Sequence, residues 1–252
     1  MEEIGERLVW HYLPFTDTVI PMGGVNTLTI FNTLVVMAFI LFLSYLAVRR
    51  FAVMPARGQF IMEQFIGAFD GLVSSSLELE TRQANRRFLS LIASLFMFLI
   101  VSNFMGFPPT AIFEEPTADI NCTLGLGIMG MVIATYCALK VKGPIGYLKE
   151  LAGPLWEQED AKGGALIAGK LSALFFFPLN IIGELAKIVS ISFRLFGNII
   201  GGGIIIIVVS SLVYQFSWLA VGLDGFFIFF VGTVQAFVFT MLTLTYIAVA
   251  IK

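Results

Sequence analysis

Long uncharged runs dominate the chain, and nearly all of its charges are gathered into the segments between them. Crossing a hydrocarbon core of about 30 Å takes roughly 20 helical residues. Runs of that length predict membrane helices over 18–48, 88–107, 119–141, 169–212 and 224–251. They are continuous and rich in Leu, Ile and Phe, which favours helices over the short strands of alternating polarity that build a barrel. The stretch 58–85 is different. It sets Phe60, Ile61, Phe65, Phe69, Leu72 and Val73 at spacings near three and four among Glu63, Asp70, Glu78 and Glu80. That pattern predicts an amphipathic helix lying on a membrane surface. The expected fold is a single all-α membrane domain: five transmembrane helices, one amphipathic surface helix and a polar N-terminal segment over 1–17.

The charges sort by sign as well as by position. Arg49, Arg50, Arg57, Arg82, Arg86 and Arg87 fall in one connecting segment, and Lys140, Lys142, Lys149, Lys162 and Lys170 in another. The connections at 107–119 and 211–224 hold only Glu114, Glu115, Asp119 and Asp224. The positive-inside rule then places 49–87, 140–170 and the C-terminus in the cytoplasm and the N-terminus outside. Residues 1–17 carry Glu2, Glu3, Glu6 and Asp17 without an apolar core, so they do not read as a secretory signal.

Composition narrows the class of function. At 58% hydrophobic and 13% charged residues, the chain has too little polar surface to coat a soluble domain. A net charge of −2 gives no attraction for nucleic acid. Cys122 and Cys137 lie fifteen residues apart on one predicted helix, about 22 Å along its axis, too far for a disulfide. No histidine cluster, Ser/Lys pair or paired aspartates lie in the spans, so neither an intramembrane enzyme nor a bound metal or cofactor is expected.

The run 169–212 stands apart. As one helix it would be about 66 Å long, twice the hydrocarbon thickness, so it must incline steeply, bend or begin outside the bilayer. It also carries Glu184, Lys187 and Arg194. Each costs roughly 2.5–3.5 kcal/mol at mid-membrane on insertion scales, which makes them functional candidates by default. Glu184 and Lys187, spaced i, i+3, can pair on one helix face. Arg194 is about 15 Å beyond Glu184 and cannot reach it. Arginine stays charged wherever the fold puts it, so its counter-charge must come from water or another chain. Asn198 follows one turn later on the same face. Gly201, Gly202 and Gly203 then permit close approach, either by another chain or by a neighbouring helix of this one. Gln235, a strong polar group in the last span, needs a partner across a helix interface or in a wet cavity.

The run Ser190-Ile191-Ser192-Phe193-Arg194-Leu195-Phe196-Gly197-Asn198 resembles the S-x-S-x-R-L-F-G-N signature of the F-type ATP synthase subunit a family, bacterial type. Val101-Ser102-Asn103, the stretch from Pro116 to Asn121 and the stretch from Gln235 to Phe239 agree in order. The resemblance implies a non-catalytic, multi-pass stator subunit in the bacterial plasma membrane. Its last two helices would form a long tilted hairpin against a ring of c subunits. It would offer two offset half-channels that pass H+ or Na+ to the ring carboxylates, with a b-subunit peripheral stalk and lipid as further partners. Arg194, Asn198 and Gln235 would carry ion translocation. Asp119, Glu184 and Lys187 would line or support the half-channels, and Gly201, Gly202 and Gly203 would face the ring. The chain departs from the family in one respect. Proton-translocating members commonly carry a Glu nine residues after the arginine, or a Glu/His exchange with the last helix. Here that position is Gly203, and the stretch from Phe226 to Val234 holds no acid or histidine. Oxygen-rich, non-titrating surroundings would suit a hard cation such as sodium.

Two other readings use the same composition. A secondary transporter would be built from related halves, but no internal repeat is visible. In a structural subunit of a respiratory membrane complex Arg194 would only pair with a neighbour, and ion flux would not depend on it.

Overall fold

A computed structural model of the chain describes residues 9–10, 25–48, 57–77, 82–107, 114–152, 164–212 and 217–251. These residues form an all-α membrane protein, apart from a two-residue antiparallel pairing of Val9–Trp10 with Val25–Asn26. The helices are α1 (Thr27–Val48), α2 (Arg57–Leu77), α3 (Arg82–Phe104), α4 (Ile120–Ala152), α5 (Gly164–Leu212), α6 (Ser217–Gly225) and α7 (Gly232–Ile251). A 3-10 turn over Pro116–Ala118 precedes α4, and a π-helical stretch over Phe226–Val231 joins α6 to α7. Among the described residues, five helical segments are long and apolar enough to cross a membrane, the last running through α6, the π stretch and α7.

α7 is the centre of the bundle. Its buried residues are Gln235, Ala236, Phe239, Thr240, Thr243, Leu244, Ile247 and Ala248. This recurrence at three to four positions is one stripe of a 3.6-residue helix. The stripe packs on two clusters. One joins Phe69, Val73 and Leu77 of α2 with Ile92 of α3 and Ala134 of α4; the other joins Leu95 and Leu99 of α3 with Ile191 and Leu195 of α5. Thr240 and Thr243 return their hydroxyls to the carbonyls of Ala236 and Phe239 (2.8 and 3.0 Å), so they enter this interior with their donors satisfied.

Helix contacts in a bilayer rest on van der Waals packing and small residues, because lipid tails are as apolar as leucine. α4 supplies these residues where it meets its neighbours. A Cβ at Gly127 would collide with the Ser192 hydroxyl of α5 and stand 3.4 Å from Ile188. One at Gly130 would stand 3.2 Å from Thr243 of α7.

Several element bounds differ from those set by the sequence pattern. Of the amphipathic helix expected over 58–85, α2 covers 57–77, residues 78–81 lie outside the described residues, as do 1–8 and 11–24 of the expected N-terminal segment and first span, and 82–85 belong to α3, which starts at Arg82 rather than 88. α2 uses one face for the bundle, where Phe65 stacks on Phe96 and Phe69 meets the same ring at a tilt, while Phe60, Ile61 and Ile66 are exposed. α4 continues to Ala152 instead of ending near 141. Gly143 takes φ 75°, a left-handed conformation open to glycine, and the helix resumes through Pro144 at a kink. Pro144 then stands at the start of the resumed piece, where its missing N–H costs nothing. The final helical course starts at Ser217, seven residues before the expected 224.

α5 has 49 residues, about 74 Å of helix. Its apolar span alone, Phe176–Leu212, has 37 residues. At about 55 Å, that span fits a hydrocarbon core of about 30 Å only if it inclines by roughly 55–60° from the membrane normal.

Candidate functional site: an unpaired arginine between two polar pockets

Arg194 lies inside the apolar run of α5, eighteen residues before the end of the helix at Leu212. Ile191, Ser192 and Leu195 turn into the bundle and are buried. Arg194 therefore points out from it, on a face shared with Val189, Phe193, Gly197 and Asn198. Among the described residues it has no ion pair or hydrogen bond, whereas Glu184 and Lys187 pair at 2.6 Å. The lysine Nζ also stands 5.6 Å from the centre of the Tyr246 ring, a cation–π contact that ties α5 to α7.

Each side of the arginine has a pocket, and Arg194 lines neither. The first is about 490 Å³ and is lined by Glu184, Lys187, Gly183, Asn180, Tyr147 and Tyr246 among others. Asn180 donates to the carbonyl of Leu151 at 2.8 Å, so the piece of α4 beyond the Gly143 kink forms one wall. Without that continuation the pocket would be open along this edge.

The second pocket, about 290 Å³, is lined on α5 by Leu195, next to Arg194, and by Asn198 one helical turn past it. The amide of Asn198 donates to Gln235 Oε1 at 2.8 Å, linking α5 to α7. Gln235 is 5% exposed, and its Nε2 has no partner among the described residues. Asn103 completes this end. It donates to the carbonyl of Gly232 at 2.8 Å and accepts the Thr117 hydroxyl at 3.0 Å, holding the 3-10 turn against α3 and α7. A Cβ at Gly232 would stand 3.1 Å from Asn103, so glycine permits this approach.

Three acids reach the same pocket from outside the predicted site: Glu114, Glu115 and Asp224. The Glu115 carboxyl lies over Gly106, where a Cβ would displace it. Burial, and secondarily the negative charge of Asp224, push its pKa up to about 7. The sequence pattern had used these acids only to orient the loops. The signal that would have marked them is the absence of any Lys or Arg from both connections, which leaves a carboxylate there with no cation to pair with.

Asp119 does not line either pocket. Its Oδ1 accepts the backbone N–H of Asn121 at 2.9 Å, capping α4, and its Oδ2 accepts the Thr29 hydroxyl of α1 at 3.1 Å. The three glycines diverge in the same way. Gly203 lines the Asn198 pocket, and Gly201 faces open space. At Gly202 the close approach is to this chain's own Phe227, 3.1 Å from a built Cβ. Gly202→Leu is expected to cost about 1–3 kcal/mol by overpacking. The thermal midpoint of the purified complex measures it, and an unchanged midpoint would show that Phe227 yields freely.

The fold and site together define a multi-pass helical membrane protein with a cation inside an apolar helix, unneutralised among the described residues, and a pocket with polar lining on each side of it. A family model described as ATP synthase A chain matches residues 30–248. A protein of Aliarcobacter butzleri named ATP synthase subunit a is 33% identical over 226 residues, 89% of each chain. One of the same name from Moorella thermoacetica is 32% identical over 220 residues, 87% of this chain and 88% of the relative. Another, from Campylobacter fetus, is 30% identical over 239 residues, 94% and 95%. The chain belongs to the ATP synthase subunit a family.

Proposed function

We infer that this chain is the ion-conducting stator subunit of the membrane sector of an F-type ATP synthase, and that it performs no ATP chemistry itself. The observation that carries this reading is Arg194, charged inside the apolar run of α5 without a partner among the described residues and flanked by two separate pockets with polar linings. The Asn198 pocket is the outer half-channel and the Lys187 pocket the cytoplasmic one. The acid-only connections 107–119 and 211–224 and the basic segments around 49–87 and 140–170 support that orientation. The partner facing Arg194 is the ring of c subunits, each helix of which brings a carboxylate. A carboxylate that carries its ion is neutral and crosses lipid. Beside Arg194 its ionised form is favoured, so the ion leaves into one pocket before the next is taken from the other. Arg194 also keeps the pockets apart, because a fixed positive charge repels H+ or Na+ passing directly between them. The b-subunit stalk and surrounding lipid would cover the remaining exposed apolar faces. The subunit would sit in the bacterial plasma membrane with its N-terminus outside.

The two-pocket arrangement is tested by access. Gly203 and Gly183 line opposite pockets and have open space where a side chain would grow. With Cys122 and Cys137 replaced by alanine, Gly203→Cys in the assembled complex should react with a membrane-impermeant thiol reagent from the outer face only. Gly183→Cys should react from the cytoplasmic face only. Reaction of either from both faces, or both from the same face, would refute two separated half-channels.

A further inference from the structure

The Asn198 pocket holds a titratable centre that the motif around Arg194 does not contain. Glu115 comes from the segment before the 3-10 turn and Asp224 from the end of α6, and the fold brings them to one cavity across 109 positions of sequence (224 − 115). The groups facing Glu115 there are Glu114 beside it, Asp224 from α6, Asn103 from α3, Asn198 from α5 and Gln235 from α7. No Lys, Arg or His is among the pocket's described lining residues. Asp119, the nearby remaining acid, is engaged by Thr29 and the backbone of Asn121. Two carboxylates in one partly desolvated cavity, with no cation between them, cannot both ionise cheaply. An independent feature marks the far end of the same cavity as a place for a guest. Gln235 lines it while buried to 5% exposure, and its Nε2 donor is unmatched among the described residues. A pocket of about 290 Å³ has room for several water molecules, whose shares of liquid volume are about 30 Å³ each.

We propose that Glu115 and Asp224 act as a paired carboxylate that takes up and releases one proton at the mouth of this pocket, so that the ion admitted on this side is H+. The proposal rests on the half-channel reading. In the step itself, a proton from external water bonds to one carboxylate oxygen, and the pair goes from two negative charges to one. Its release restores both charges and delivers the proton to water leading toward Asn198, Gln235 and the ring carboxylate. The group thereby does what a glutamate at position 203 would do, from a different part of the chain. Its affinity suits the task, since Glu115 titrates near pH 7 through burial and the Asp224 charge, and a relay works best when its pKa lies near the working pH.

The test is ATP synthesis by the whole complex in vesicles, in sodium-free medium. The outer pH is varied while voltage is adjusted to keep the total driving force constant. The wild type should hold its rate below about pH 7 and lose it above, as Glu115 ionises. Glu115→Gln should remove that inflection and slow synthesis several-fold. Asp224→Asn removes the repulsion that raises Glu115, so the inflection should move to lower pH. Glu115→Asp should restore an inflection, which keeps the test decisive if the glutamine variant assembles poorly. A wild-type pH profile in Glu115→Gln, an unmoved inflection in Asp224→Asn, or an absolute need for sodium would each overturn the proposal. If Gly203→Cys is reached from the outer face while Glu115→Gln keeps the wild-type profile, the carboxylate pair alone is wrong. If Gly203→Cys is not reached, the channel reading itself has failed.

Discussion

Arg194→Gln in fully assembled complexes is expected to abolish both ATP synthesis and ATP-driven pumping. Glutamine keeps much of the length and hydrogen bonding but removes the charge. Opposite charges about 4 Å apart at an effective dielectric near 20 attract by about 4 kcal/mol, roughly a thousandfold in the equilibrium for ion release from a ring carboxylate. Nothing else in the described residues can substitute, because the nearest cation on α5, Lys187, is seven residues away and already bonded to Glu184. Passive leak should rise at the same time, since the charge separating the pockets is gone. Arg194→Lys should be severely impaired as well. An ammonium lacks the planar fork of the guanidinium and can lose its proton when desolvated. Ion flux and synthesis in reconstituted vesicles measure both effects, with subunit content checked separately. Assembled Arg194→Gln complexes that make ATP near the wild-type rate would sink the stator assignment.

Gly127→Leu is expected to have the second largest effect, by a different route. Even a Cβ here collides with the Ser192 hydroxyl, and a leucine must also displace Ile188. Ser192 and Ile188 belong to the same stretch of α5 that carries Arg194. Overpacking of about 1–3 kcal/mol would therefore fall on the contact that sets the arginine's position. The amount of subunit retained in the purified complex should drop sharply. Whatever assembles should pump poorly, because outward displacement of α5 alters the distance from Arg194 to its partner. Gly127→Ala should lie between. Wild-type assembly and pumping by Gly127→Leu would show that α4 and α5 are not held in register at this point.

The parts of this protein legible in its sequence are those governed by local periodicity and by the cost of charge in lipid. The bonding of Glu184 to Lys187 across one turn and the isolation of Arg194 follow from spacing alone. The continuation of α4 past Gly143 does not, because Gly-Pro equally marks a loop or a kink and only the packing of Asn180 on Leu151 decides. The convergence of Glu115 and Asp224 on one pocket was hidden for a related reason. Proximity between residues far apart in the chain depends on how helices dock, and docking here is set by Gly127, Gly130 and Gly232. The bonds of Asp119 are likewise not readable from its position in the sequence. A carboxylate beside a span invites a channel role, yet its hydrogen bonds serve the start of α4 and the anchoring of α1.

The π stretch over Phe226–Val231 has a consequence for how the chain tolerates change in length. Its end is marked by the N–H of Gly232 donating to the carbonyl of Phe227, five residues back. Each residue of an ordinary helix advances about 100° around the axis. Deleting one residue in this stretch would let it relax to α-helical hydrogen bonding and swing α6 by about that angle relative to α7. Asp224 would then leave the side of the helix that Gln235 shares. The rotational phase between these two residues is thus stored in a residue count, not in any single side chain, so a conservative substitution in the phenylalanine run would preserve it while a one-residue deletion would not.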